Sequence, residues 1–260
     1  MVTLGEGCWM WGVVGGWRFV FVEGVPVFDR SVVVSSLESE IAALQGFLLG
    51  LSDSEVVLPT RCAPWDVAAL SVHTVGSLNQ VLVALDGSSP EISDGLVSAA
   101  KYYVPEVRFS PEVNTARVDS AMERAARRSD AAEPGRVLGE TWRTLTERLA
   151  EQPAERTIVT RHGDPMLLTD YLVTRVVELS LHGLDLADAL GRQPWTTDAA
   201  LDVVHEVLFG AADREAVEKV LPGVFGAGAL SAVRVVTGRA PERLEREVLE
   251  GAGVRALALG

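Results

Sequence analysis

The stretch Tyr171-Leu-Val-Thr-Arg175-Val-Val-Glu178-Leu-Ser-Leu-His182-Gly-Leu-Asp185-Leu constrains this chain more than any other. No Pro interrupts it between Leu167 and Leu190, and apolar residues surround it on nearly every side, so it reads as one helix. Tyr171, Arg175, Glu178, His182, Asp185 and Ala189 recur at steps of four, three, four, three and four, which stacks them on one helix face. Val173, Val176, Val177, Leu181 and Leu184 cover the other flanks, the pattern of a buried element. A buried line of ionisable groups is costly unless something pairs with it. Glu178 and His182, at i,i+4, can chelate a cation from a single face.

The rest of the chain bounds what such a helix can serve. Its 260 residues suit one sizeable domain, or one domain with an appendage. Apolar and charged fractions of 48% and 23% are those of an ordinary soluble globular protein. A formal charge of −13 argues against a nucleic-acid backbone or an anionic membrane surface as partner. Basic residues are almost all Arg, the better clamp for carboxylates, with Lys only at Lys101 and Lys219. Cys8 and Cys62 are too few for a disulfide framework and point to a reducing compartment. No window reaches the roughly 18 uninterrupted apolar residues of a membrane-spanning helix. The nearest, Cys8 to Val22, is broken by Arg18 and by glycines, and lacks both a basic leader and a small-residue cleavage site. These features predict a cytoplasmic protein, a monomer or homodimer, with small molecules as partners.

Residues 1–34 read as an N-terminal extension. Trp9, Trp11 and Trp17 stand among glycines ahead of Phe19-Val-Phe-Val22 and Val25-Pro-Val-Phe28. That is either a strand pair over an apolar patch or a disordered tail from a start assigned too far upstream; the second reading is preferred. A helix is expected from Ser36 to near Leu51, capped by Ser35 or Ser36, with Leu37, Ile41, Leu44, Phe47 and Leu48 on one stripe. Asp66 should cap a second, running to about Leu85 and carrying His73. Residues 87–111, rich in Gly, Ser and Pro, read as a loop crossing the surface or lining a cleft. Helices over about 113–129 and 134–151 follow, their arginines (Arg124, Arg127, Arg128, Arg143 and Arg148) mostly on solvated faces. A strand at Thr157–Thr160 and a tight turn at His162-Gly163-Asp164-Pro165 lead into the organising helix. Gly191 and Pro194 stop it, and Thr197-Asp198 opens a helix through His205 to about Ala211. The expected fold is mainly all-α. A four-helix bundle with a short β element spans residues 35–191, and a small helical C-terminal extension spans 192–260.

Catalytic zinc sites keep three protein ligands, often two His and one Glu, and leave a position for water or substrate. Glu178 and His182 supply two. Of the other histidines, His162 lies in a turn and His205 in the tail, whereas His73 lies on the apolar second helix, which makes it the natural third ligand. Asp185 would then orient an imidazole N–H; its alternative role is to pair with Arg175 or sit in solvent. Cys62, just before a helix start, is a rival nucleophile or a small residue filling a bend.

Two distant motifs occur in this order: Pro59-Thr60-Arg61-Cys62-Ala63-Pro64-Trp65-Asp66-Val67 with Leu70 and His73, then Leu172, Arg175, Glu178, His182-Gly183, Asp185 and Leu186. Together they resemble the mycothiol-dependent maleylpyruvate isomerase family of DinB/YfiT-like metalloenzymes, over about Ser35 to Leu190. Val235-Val-Thr237-Gly238-Arg239-Ala240-Pro241 is similar to the C-terminal extension of many members. The resemblance implies a DinB-like four-helix bundle, a divalent metal, usually zinc, bound by His73, Glu178 and His182, and mycothiol as the thiol cosubstrate. It also implies a thiol enzyme: a metal with a vacant position favours thiolate over a thiol of pKa around 8.5. The thiolate adds to a small electrophile, either to isomerise it or to transfer the thiol. Arg117 and Arg175 are the candidate cations for an acidic substrate or product, although a surface ion pair is the simpler role for Arg117. The tail, residues 192–260, is short and helical for the separate α/β domain that characterised isomerases carry, so S-transfer fits as well as isomerisation. Other readings on the same scaffold are a hydrolase or biosynthetic enzyme using metal-bound water, and a non-catalytic metal- or ligand-binding bundle.

Overall fold

A computed structural model of the protein describes residues 10–14, 17–22, 25–91, 95–103, 110–255 and 257. Strands β1 (Met10–Val14), β2 (Trp17–Val22) and β3 (Val25–Val27) form an antiparallel sheet in that order, with Trp11 paired to Val20 and Phe21 to Pro26. That stretch therefore has strand character, as the first of the two sequence readings had it, while residues 1–9, with Cys8 and Trp9, lie outside the described residues.

Helix α1 (Arg30–Leu49) begins six residues before the expected Ser36. Its cap is Asp29, whose carboxylate accepts the Ser31 and Val32 backbone N–H groups. The run Val32-Val-Val34 reads as strand by propensity, but capping and the burial of Val33, Leu37, Ile41, Leu44 and Leu48 on one face hold it helical. Helix α2 (Val67–Asp86) starts at the expected cap, Asp66 accepting from the Ala69 N–H at 2.8 Å. After α3 (Pro111–Ala126) and α4 (Glu133–Ala150), the hairpin β4 (Thr157–Val159) and β5 (Pro165–Leu167) buries the cross-strand pair Ile158 and Met166, and α5 (Leu168–Ala189) leaves directly from it.

Helix α1 packs on α4 and α5, and α2 packs on the same pair, so α1 and α2 take opposite corners of a four-helix bundle. Helix α3 buries little beyond Ala121 and Ala125 and flanks α2 from outside. By length and apolarity alone α1 and α2 could cross a membrane; the apolarity of α2 is accounted for by burial within the bundle. Segment 87–111 is not wholly a surface loop. A 3-10 turn at Lys101–Tyr103 buries Tyr102 and Tyr103, and the Tyr103 hydroxyl donates to the Thr174 carbonyl of α5 at 3.0 Å.

The C-terminal segment comprises α6 (Asp198–Phe209), α7 (Arg214–Val220), α8 (Ala229–Val236) and α9 (Arg246–Gly251). Helix α6 docks on α1 and α5. Its Thr197 cap also donates, through its backbone N–H and its hydroxyl, to the buried Glu40 of α1 at 2.9 and 3.0 Å.

Candidate metal centre

Helix α5 is buried along nearly its whole length, and its ionisable line runs through the bundle interior. His182 Nε2 lies 3.4 Å from Glu178 Oε2, the i,i+4 separation one turn provides. His73 comes from α2, which packs against α5, and its ring meets the His182 ring edge-on at 5.2 Å between centroids. One ligand atom each from His73, Glu178 and His182 lies within 4.8 Å of the other two. Trp65, buried at the start of α2, covers His73 with ring centroids 4.4 Å apart.

The second imidazole nitrogen of His182 is also engaged. Nδ1 lies 3.1 Å from Asp185 Oδ2, one turn further along α5. Asp185 is fully buried and accepts from Arg239 Nη2 at 2.7 Å, with Arg61 Nη1 at 3.5 Å from its other oxygen. Asp185 therefore pairs with Arg239 and Arg61, not with Arg175. Gly238, at φ +69°, turns the chain after α8 so that Arg239 can reach inward. Cys62 Sγ lies 3.4 Å from Asp185 Oδ2, the oxygen that also faces His182 and Arg239.

Among the described residues two donor groups thus share His182, the second being Cys62, His182 and Asp185. Electrostatics separates them. A cation on the Asp185 side would sit beside the guanidinium already paired there, and like charges about 4 Å apart cost about 4 kcal/mol at an effective dielectric of 20. The Glu178 side offers a carboxylate within reach of His182 Nε2. Asp185 accepting from Nδ1–H fixes the tautomer that leaves Nε2 directed at Glu178.

Protonation follows from the same surroundings. Burial, then the charge on neighbouring His182, pushes the His73 imidazole down to about 3, so it is a neutral donor. For His182 burial acts downward, but hydrogen bonds to Asp185, Cys62 and Glu178 outweigh it and hold the ring well above its ordinary value. A metal at Nε2 would displace that proton. Burial opposes ionisation of Asp185 too, yet His182 and Arg239 keep it well below the usual carboxylate range.

The remaining predicted residues divide. Arg117 lines a small cavity of about 30 Å³ together with His73, Arg175 and Glu178. Arg175 is 2% exposed and committed to the fold: it donates to the Ser77 carbonyl at 3.1 Å, to the Tyr102 hydroxyl at 3.3 Å and to Thr174 Oγ1 at 2.9 Å, and lies 4.6 Å over the Tyr171 ring. Sequence reasoning set His162 aside as a turn residue and did not single out Arg161. The β4–β5 turn, with Gly163 at φ +89°, carries both to that cavity. His205, expected outside any buried helix pattern, is 4% exposed, packed between Phe209 and Phe225 and 2.9 Å from the Val224 carbonyl.

Bundle and ionisable cluster together define a DinB-like four-helix-bundle protein with a candidate His₂Glu metal centre. Residues 37–187 match the profile of the mycothiol maleylpyruvate isomerase N-terminal domain, and the chain belongs to that family. Among solved structures it resembles a crystal structure of the mycothiol-dependent maleylpyruvate isomerase at 13% identity and a TM-score of 0.51, over 83% of this chain and 92% of that one. A mutant of that enzyme matches at 12% identity and a TM-score of 0.47, over 68% of each chain. The first likeness covers more of this chain than the family profile does, so the shared fold extends beyond residues 37–187. No curated protein sequence matches the chain significantly.

Proposed function

We infer that this protein is a metal-dependent thiol enzyme, with His73, Glu178 and His182 holding a divalent cation and mycothiol as cosubstrate. The observation that carries the reading is the convergence of two imidazoles and one carboxylate within 4.8 Å, in a chain of the mycothiol maleylpyruvate isomerase family. Two neutral nitrogens and one carboxylate oxygen are a donor set that suits zinc and leaves a position vacant. A cation there supplies a Lewis acid that favours thiolate over thiol.

The chain's own residues do the rest. Asp185, held ionised by Arg239, keeps the Nδ1 proton of His182 and so presents Nε2. Trp65 stacks on His73 and excludes water from one side of it. Arg117, Arg161 and His162 stand at the cavity beside Glu178 and His73, where an acidic electrophile can be held for thiol addition. S-transfer and isomerisation share that addition step. They diverge in whether the thiol is expelled again after rotation about the former double bond. The protein acts in the cytoplasm in this reading, where the thiol pool is reduced.

Elemental analysis of purified protein and of His182→Ala tests the centre. About one divalent ion per chain, lost in the variant, is expected; metal-free protein with full thiol-dependent turnover would remove the reading. Thiol dependence is read in parallel from electrophile consumption with and without added mycothiol.

A further inference from the structure

Beside the His73 face of the candidate centre lies a second cleft, of about 240 Å³, lined by Arg117, Arg124 and Arg161 together with Gln80 and Ser120 and by no acidic residue. It shares His73, Gln80, Arg117 and Arg161 with the small cavity that reaches Glu178, so the two adjoin around those side chains. In a chain with 36 acidic and 23 basic residues, three guanidinium groups around one cleft are a local reversal of charge.

Among the described residues, two of the three have no acidic partner. Among the described residues neither Arg124 nor Arg161 makes an ion pair or a side-chain hydrogen bond. Glu123, the acid next to Arg124, pairs instead with Arg127. Helix α2 is shaped to receive Arg124. His73, Gly76 and Gln80 follow one stripe at steps of three and four, and a Cβ at Gly76 would stand 2.9 Å from Arg124 Nη1. The missing side chain lets the guanidinium lie along the stripe between His73 and Gln80. Arg161 reaches the same cleft from the β4–β5 turn.

We propose that Arg124 and Arg161, and not the buried Arg175, are the specificity-determining residues that hold the carboxylate end of the electrophile. Planar guanidinium forks suit carboxylates through paired hydrogen bonds, and an anion between them relieves their mutual repulsion. The electrophilic carbon then extends past His73 toward Glu178. That the bound anion is an electrophile rests on the thiol-enzyme reading; the anion cleft itself does not.

Isothermal titration of the full chain at low salt, with maleate, monomethyl maleate and dimethyl maleate as probes, tests this. Affinity should fall at each esterification, and Arg124→Gln and Arg161→Gln should each weaken maleate about tenfold, a loss of about 1.4 kcal/mol. Arg136→Gln, whose guanidinium pairs with Asp130 on the surface, should leave maleate binding unchanged. Arg124 and Arg161 are exposed, so both variants should melt as the wild type does. Absence of saturable maleate binding to wild type, equal affinity for the dimethyl ester, or an Arg124→Gln/Arg161→Gln double variant that binds maleate normally would each overturn the proposal. The two readings fail separately. Arginine-dependent maleate binding without any thiol turnover keeps the cleft and removes the thiol chemistry. Mycothiol turnover indifferent to both substitutions does the reverse.

Discussion

Arg239 Nη2 lies 2.7 Å from Asp185 Oδ2 in a pair whose side chains are 2% and 0% exposed. The guanidinium comes from beyond α8, and the carboxylate stands one turn from His182 on α5. Through this contact the C-terminal segment reaches the residue that sets the His182 tautomer. Removing one partner of a buried pair leaves the other charge uncompensated. Arg239→Met is therefore expected to lower unfolding free energy by about 3–5 kcal/mol, read as a reduced urea midpoint. Asp185→Asn should bind the divalent ion about 10- to 100-fold more weakly, because Nδ1 loses its anionic acceptor. Unchanged affinity in a chelator competition would show that Asp185 does not orient His182.

Glycine-to-alanine substitutions in two bundle helices should have opposite signs. At Gly46 of α1 a Cβ meets nothing within 4 Å, so Gly46→Ala should stabilise by about 0.5–1 kcal/mol through helix propensity. At Gly135 of α4 it would meet the Leu49 backbone nitrogen at 2.9 Å and Leu48 Cβ at 3.1 Å. The α1–α4 contact cannot give there without moving backbone, and a loss of about 1–3 kcal/mol is expected. Thermal melts of the two variants decide the matter, and equal signs would mean that α1 and α4 do not approach as described.

Glu206 of α6 makes stability depend on pH. Burial pushes its carboxyl up to about 7 from an ordinary 4.5, with Arg214 and Arg255 acting against the shift. Between those values the folded state binds more protons than the unfolded one, so the contribution is full below about 4.5 and is lost as pH rises through 7. Asp170, raised to about 6 by burial against a hydrogen bond from the Ala99 N–H, acts in the same direction. His205, lowered by burial, acts oppositely at the acid end. The Glu206 contribution is therefore best read as a difference. Glu206→Gln should gain about 2–3 kcal/mol on wild type between pH 4.5 and 8 in paired urea titrations. A difference that stays flat over that range would place the Glu206 carboxyl in water.

The local signals were legible wherever one helix decides them. Asp66 and Thr197 cap the helices they were expected to cap, because a cap is a contact between residues two or three apart. The 3,4 spacing of Tyr171, Arg175, Glu178, His182 and Asp185 reads as one face for the same reason. Helix α1 was misjudged at its start. Three consecutive valines carry a strand propensity that the Asp29 cap and burial against α4 and α5 together override. Arg161, His162 and Arg239 went unassigned because a turn or tail residue has no periodic pattern to say where its side chain arrives.

The sequence by itself determined a helical bundle and the line of ionisable groups inside it, since these follow from spacing along single elements; His73 could be singled out only as the histidine on a second apolar helix. Tertiary structure alone decided that Asp185 answers to Arg239 and Arg61, that Arg175 is tied up by Ser77, Thr174 and Tyr102, and that Arg124 lies across Gly76. Those pairings join residues as far as 124 positions apart. Which of several equally charged arginines reaches a given carboxylate depends on how the helices pack, and no local periodicity encodes that.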